Sequence, residues 1–216
     1  MLVRLLVVIA LMLGLMAAGP APAHAVSKAR VREVQQDLRR LGVHITVDGE
    51  EGPRTRQGVC AARRLLRYKR VSRNRITKKD VTALRKATAW TRPRHGKNYL
   101  WVDRRCQMLY QAKGGRFVRV LKASTGASGH ATPGGTYKIT WRWPGWHDSS
   151  EYPSDSGNGN MYNAMYFKSG GYAVHGSRSV PHYPASHGCV RVTWGGANQL
   201  WDSVPIGTKV IIFGHW

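Results

Sequence analysis

Pro184-Ala185-Ser186-His187-Gly188-Cys189-Val190-Arg191, a short way after Ala173-Val174-His175-Gly176-Ser177, decides how this chain reads. One cysteine lies beside two histidines. The thiolate is the nucleophilic form, and a free thiol with a pKa of about 8.5 is mostly protonated at neutral pH. A histidine within hydrogen-bond reach can take that proton. Gly188 lets the backbone turn tightly, so the amides of Gly188 and Cys189 can face a developing oxyanion. Arg191 follows Cys189 by two residues, which puts both side chains on one side of an extended segment. There it can hold a carboxylate and favour the thiolate. Two other readings stand beside this one. His175, His182, His187 and Cys189 are zinc-ligand types, but no Cys-x-x-Cys or His-Glu-x-x-His spacing accompanies them. A buried cysteine with unrelated histidines is the other, although Ser-His-Gly-Cys is polar and makes poor core material.

Outward from this stretch the chain reads as β structure. Tyr99–Asp103, Gln107–Gln111, Phe117–Ala123, Thr136–Trp141, Ala164–Phe167, Tyr172–His175 and Lys209–Phe213 are short runs of β-favouring or apolar residues. Lys113-Gly114-Gly115 fits a hairpin turn, and one helix fits Ala197–Val204, ended by Pro205 and Gly207. The expectation is a mostly antiparallel β domain with little helix. Residues 142–163 lack periodicity, and a loop of that length is usually functional. It is expected to fold over the cysteine. Trp141, Trp143 and Trp146 read as buried loop anchors, Tyr162 and Asn163 as neighbours of the site, and His147 and His182 as exposed and idle.

Residues 26–94 follow a helical period. Val31, Val34, Leu38 and Leu41 recur at three and four before Gly42. Val47-Asp48-Gly49 through Gly52-Pro53 is turn chemistry. A second helix fits Thr55–Tyr68, with Val59, Ala62, Leu65 and Leu66 inward. Thr77-Lys78-Lys79-Asp80 resembles a capping box that opens a third, with Val81 and Leu84. Thr91–Gly96, rich in Arg and Pro, reads as a linker. The fold class expected is α+β: three helices in residues 26–90, a linker at 91–96, and a mostly β, sandwich-like mixed-sheet domain at 97–213.

The chain has 34 Lys and Arg against 11 Asp and Glu, a net charge of +23. Such a balance suggests nucleic acid first. The first 25 residues argue otherwise, because Arg4, the apolar run Leu5–Ala18 and Ala23-His24-Ala25 read as an export signal. An uncleaved membrane tether is the alternative for that segment. An exported chain meets anionic wall polymers rather than nucleic acid, and long-range attraction to them suits the charge; solubility alone is the plainer account. Of the three cysteines, Cys60, Cys106 and Cys189, an odd count outside the cytoplasm suggests one disulfide and one free thiol. Three pairings exist. The chemistry at Cys189 needs a thiol, which leaves Cys60 with Cys106; both can instead be small buried apolar side chains.

Two resemblances cover most of the chain. Val34-Gln35-Gln36-Asp37-Leu38, Leu41-Gly42, Asp48-Gly49 and Gly52-Pro53-Arg54-Thr55 resemble the three-helix peptidoglycan-binding domain. Residues 61–68 are more basic than that family's pattern, and its second Asp-Gly turn is missing. His175-Gly176 with Ser186-His187-Gly188-Cys189-Val190-Arg191 resembles the signature of the L,D-transpeptidase catalytic domain (YkuD-type). Thr125-Gly126, Thr132-Pro133-Gly134-Gly135-Thr136-Tyr137 and Gly207-Thr208-Lys209-Val210 extend that likeness over about 97–213. The resemblance implies Cys189 as acyl-enzyme nucleophile and His175 as its base, with the Gly176 carbonyl orienting the ring. It implies an oxyanion pocket lined by Gly188 and His187 and supported by Ser186, and Arg191 as a donor-stem ligand. Only ten residues separate His175 from Ser186, fewer than is common in the family, which keeps His187 as a second candidate for base. Implied too are peptidoglycan stem peptides as substrate, a 3→3 cross-link as product, carbapenems as acylating inhibitors, and neither metal nor organic cofactor. An L,D-carboxypeptidase acting on the same stems and a non-catalytic wall-binding protein are the competing functions.

Overall fold

Helix α1 (Lys28–Arg40) begins where the Ser27 hydroxyl accepts from the Arg30 N–H, an ordinary N-cap. It buries Val31, Val34 and Leu38 and stops at Gly42, whose φ of +85° suits glycine. The computed structural model describes residues 26–216; the segment read as an export signal lies outside them. Helix α2 (Pro53–Leu65) starts on a proline, whose missing N–H costs nothing there. It ends before Tyr68, the limit expected from sequence, because Arg67 turns left-handed at φ +60° and Tyr68 N–H closes on Arg63 O at 2.9 Å. Helix α3 (Lys78–Lys86) opens on a complete capping box between Thr77 and Asp80. Asp80 also receives the buried Arg63 guanidinium at 2.9 and 2.6 Å, which ties α2 to α3.

Nine strands follow: β1 (Tyr99–Asp103), β2 (Met108–Lys113), β3 (Arg116–Ser124), β4 (Gly135–Lys138), β5 (Trp141–His147), β6 (Met161–Lys168), β7 (Tyr172–Gly176), β8 (Val190–Val192) and β9 (Lys209–Phe213). Helix α4 (Trp194–Trp201) lies between the last two. It begins three residues before Ala197, the expected start, because the Thr193 hydroxyl caps it by accepting from Gly196 N–H. The strands form one sheet ordered β4-β9-β1-β2-β3-β8-β7-β6-β5. Most pairs are antiparallel, while β1 with β9 and β7 with β8 are parallel. The class is α+β, as the sequence suggested.

Two expectations fail in detail. Thr136–Trp141 is not one strand. It divides into β4 at one edge of the sheet and β5 at the other, with Ile139 N–H bonded to Thr208 O and Thr140 N–H to Tyr166 O. The chain thus steps across a seam, and the sheet curls until its edges meet. Residues 142–147 belong to β5 rather than to a loop, so the irregular stretch shrinks to 148–160. A bulge between Trp143 and Trp146 absorbs Pro144 and Gly145.

The curled sheet and α4 enclose one core around Leu100, Leu109, Met165, Val174, Val190 and Leu200. The outer face of β1–β3 is buried as well, because Trp101, Met108, Tyr110, Phe117 and Val120 pack into the core of the three helices. Cys60 in α2 is disulfide-bonded to Cys106 in the β1–β2 turn. Arg64 bonds Asp103 at 2.8 Å, and Gln57 donates to Gln107 O at 2.6 Å.

Candidate active site

The parallel pairing of β7 with β8 builds the site. Val174 faces Val190, and His175 faces Arg191. Alternate residues share a face, so His175, Arg191 and Cys189, which directly precedes β8, lie on one side of the sheet, with Cys189 diagonal to His175. All three line an open cleft of ≈ 570 Å³. Cys189 is half-buried and its thiol is free. Sγ donates to Gly171 O at 3.5 Å. His175 is buried, and its Nδ1 lies 2.9 Å from Gly176 O. A carbonyl can only accept, so Nδ1 carries the proton and Nε2 is left with its lone pair for the cleft. Gly176 lets α4 pack close behind it, since a Cβ there would sit 2.9 Å from Ala197 Cβ.

The charge state is set mainly by burial. It lowers His175 from 6.5 to about 4, against the Gly176 hydrogen bond and with help from the positive charges of Arg191 and His147. It raises the Cys189 thiol, while the Ala173 backbone and Arg191 pull the other way. Arg191 therefore favours the thiolate, as its spacing suggested, but does not win. Both shifts favour the uncharged forms, thiol and imidazole, at rest.

The segment before Cys189 is pinned by one hydroxyl. Ser186, 2 % exposed, donates to Cys189 O at 2.6 Å and accepts from Gly188 N–H at 3.1 Å. The Gly188 amide is thus committed to Ser186, so the Cys189 N–H is the amide of the expected pair left for an oxyanion. Gly188 has φ +119°, and a Cβ would stand 2.6 Å from Tyr172 Cε1, so only glycine fits. Thr132 adds a weaker donor to Cys189 O at 3.4 Å and accepts from Gly126 N–H at 2.8 Å.

His187 is exposed, stacked on Tyr152 at 4.1 Å and 8°, and edge-on to His130 at 4.8 Å. Tyr152 belongs to the 148–160 loop, which walls the cleft. The loop is held by hydrogen bonds from Ser154 N and Oγ to Asp148 and by Arg178, which donates to Gly159 O and Asn158 O and lies over Trp146 at 3.8 Å. No group of three or more metal-ligating side chains gathers among the described residues. His182 stands against Tyr183 instead.

Several sequence readings need correcting here. His147 is not exposed and idle. It is half-buried, with Nε2 2.9 Å from the Tyr166 hydroxyl and its ring against Trp143. Trp141 and Trp143 are not buried anchors but 43 % and 47 % exposed on the same strand, Trp141 lying flat on Tyr166. Asn163 turns left-handed at φ +47° and bonds Gly145 N–H and Asn198, which makes it a brace of the β5–β6 bulge. Sequence reasoning read Tyr172 only as the start of a strand and Thr132 only as part of a motif, gave neither a place at the site, and did not single out Tyr152. The one signal for Tyr172 was its place three residues before His175 in the Gly170-Gly171-Tyr172 run.

A family model of the L,D-transpeptidase catalytic domain, YkuD, matches residues 97–212. No curated protein matches the chain. Among solved structures, the chain resembles an L,D-transpeptidase from Xylanimonas cellulosilytica at 34 % identity and a TM-score of 0.63, over 90 % of this chain and 99 % of that one. It also resembles an L,D-transpeptidase from Stackebrandtia nassauensis at 20 % identity and a TM-score of 0.52, over 86 % and 91 % of the two chains; at that identity the likeness concerns the fold.

Proposed function

The chain belongs to the YkuD-type L,D-transpeptidase family, and from that premise we propose that it forms 3→3 peptidoglycan cross-links through an acyl-enzyme on Cys189. The observation that carries this is the half-buried Cys189 thiol opening into a cleft on the same sheet face as His175, whose Nδ1 is fixed by the Gly176 carbonyl. Nε2 of His175 takes the thiol proton as Sγ attacks the carbonyl between diaminopimelate and D-alanine in a tetrapeptide stem. The tetrahedral oxyanion accepts from the Cys189 N–H, beside the His187 ring, while Ser186 holds the peptide in place. His175 returns the proton to the departing D-alanine amine, leaving a thioester. A side-chain amine of a neighbouring stem then attacks, His175 takes its proton and passes it to the sulfur, and the thiol is restored. Arg191, opposite His175 in the pairing, holds a donor carboxylate.

Carbapenems acylate the same thiol in this reading. Residues 1–25 direct export, and the cell wall is the working location. The basic helical segment, with 20 Lys and Arg against 6 Asp and Glu in residues 26–94, docks on anionic wall polymers by long-range attraction and serves as a peptidoglycan-binding-like module. The deciding experiment is intact-mass detection of a carbapenem adduct. Wild type gains the mass of the drug and Cys189→Ala gains none; an adduct on the alanine variant would remove the proposal. Muropeptide products then separate transfer, which gives dimers, from hydrolysis, which gives trimmed monomers.

A further inference from the structure

Gln107 is a buried, non-glycine residue in the left-handed region, at φ +53°, directly after the disulfide-bonded Cys106. That conformation is uncommon without glycine, and here the side chain accounts for it. Gln107 Nε2 donates to Arg104 O at 2.6 Å and to Thr125 Oγ1 at 2.8 Å, and Oε1 accepts from Thr125 N–H at 2.7 Å. Its own carbonyl accepts from Ala123 N–H at 2.9 Å and from Gln57 Nε2, in the helical segment, at 2.6 Å.

Thr125 carries the contact forward. Its carbonyl accepts from Ala185 N–H at 2.9 Å and from Ser186 N–H at 3.1 Å. Ser186 in turn grips the Gly188–Cys189 unit at both ends. A buried, hydrogen-bonded path therefore runs from Gln57 and Cys60–Cys106 through Gln107, Thr125 and Ser186 to the reacting sulfur's own backbone. Ser124 Oγ braces the same loop by donating to Tyr183 O at 2.7 Å.

We infer that Gln107 is a positioning residue for the acylation step: it fixes Thr125, hence Ser186, hence the Cys189 N–H and Sγ, and the helical segment clamps it from behind through Gln57 and Cys60. The inference rests on Cys189 being the nucleophile. Displacement of a reacting group by about 1 Å can cost about 10²-fold in rate, which is the scale expected when this path is cut.

The test is the kinetics of carbapenem acylation followed by intact mass in the full chain. Gln107→Met keeps the side-chain volume and removes every side-chain hydrogen bond. It should lower the maximal acylation rate about 10²-fold while the drug concentration at half-maximal rate stays within about twofold. Thr125→Val deletes only the hydroxyl acceptor, folds as a near-isostere, and should lose about fivefold, again in the maximal rate. Leu84→Ala, buried in α3 and outside the path, lowers the melting temperature but leaves the maximal rate of folded protein unchanged. Wild-type maximal rates in both Gln107→Met and Thr125→Val, with wild type itself acylated, would overturn the inference and leave Cys189 as nucleophile. Absence of any adduct on wild type would overturn both.

Discussion

Ser186→Ala probes the joint between packing and chemistry. The hydroxyl is buried and uses both of its roles, donating to Cys189 O at 2.6 Å and accepting from Gly188 N–H at 3.1 Å. Alanine leaves Gly188 N–H without a partner inside the protein and leaves Cys189 O with only Thr132 Oγ1 at 3.4 Å. An orphaned buried polar group costs about 1–3 kcal/mol, so the variant should lose about 2–4 kcal/mol. At about 2–4 °C per kcal/mol for a chain of this size, the melting temperature should fall by about 10 °C. The catalytic effect is separate. Without its clamp the Cys189 N–H no longer aims at one place, and loss of an aimed oxyanion donor is worth about 10²–10³-fold. Carbapenem acylation by intact mass, at a temperature where the variant is folded by circular dichroism, should slow by about 10²-fold. A Ser186→Ala protein that melts with wild type and acylates at the wild-type rate would show that the hydroxyl neither supports the turn nor positions the nucleophile.

Two further outcomes follow from the same geometry. His175 is held at about 4 in the fold against 6.5 when free, so the unfolded chain takes up the proton first: stability is complete above pH 6.5, falls as pH drops toward about 4, and loses about 3 kcal/mol in total. Urea midpoints near pH 7.5 and about pH 4.5 should show that loss in wild type and less of it in His175→Gln; equal pH dependence in both would refute the assignment. Gly188→Ala forces a Cβ to 2.6 Å from Tyr172 Cε1 at φ +119°, so it should cost about 2–4 kcal/mol and abolish the adduct; wild-type melting and acylation would contradict the turn.

What the sequence made legible was local. Strands β1 and β9 have the limits read from their runs, Tyr99–Asp103 and Lys209–Phe213, because each is a short β-branched and aromatic segment between polar turns. The capping box at Thr77 and Asp80 likewise needs only four consecutive residues. The errors fall where distant chain segments decide. Trp141–His147 contains Pro144 and Gly145, which read as loop, yet pairing with β6 holds it in the sheet around a bulge. β8 has three residues, too few for a pattern, and exists because β3 and β7 flank it. His147 was misplaced for the same reason, since its partner Tyr166 is contributed by that unforeseen pairing. The site motif was readable because Ser186 to Arg191 is contiguous. The link from Gln107 through Thr125 to that motif was not, since it exists only through β2, β3 and the disulfide turn.

The electrostatics of the site then say when the sulfur becomes reactive. A preformed thiolate–imidazolium pair would need the thiol lowered and the imidazole raised, and burial moves both the opposite way. Both shifts oppose proton transfer from Sγ to Nε2 before a donor binds. On the proposed mechanism it becomes favourable as negative charge develops on a seated carbonyl that accepts from the Cys189 N–H. A neutral thiol is also a poor target for oxidants, whose attack follows thiolate character. On the reading of Cys189 as the nucleophile of an exported enzyme, the burial that makes His175 a weak base at rest also keeps the sulfur inert outside the reducing cytoplasm until a donor stem arrives.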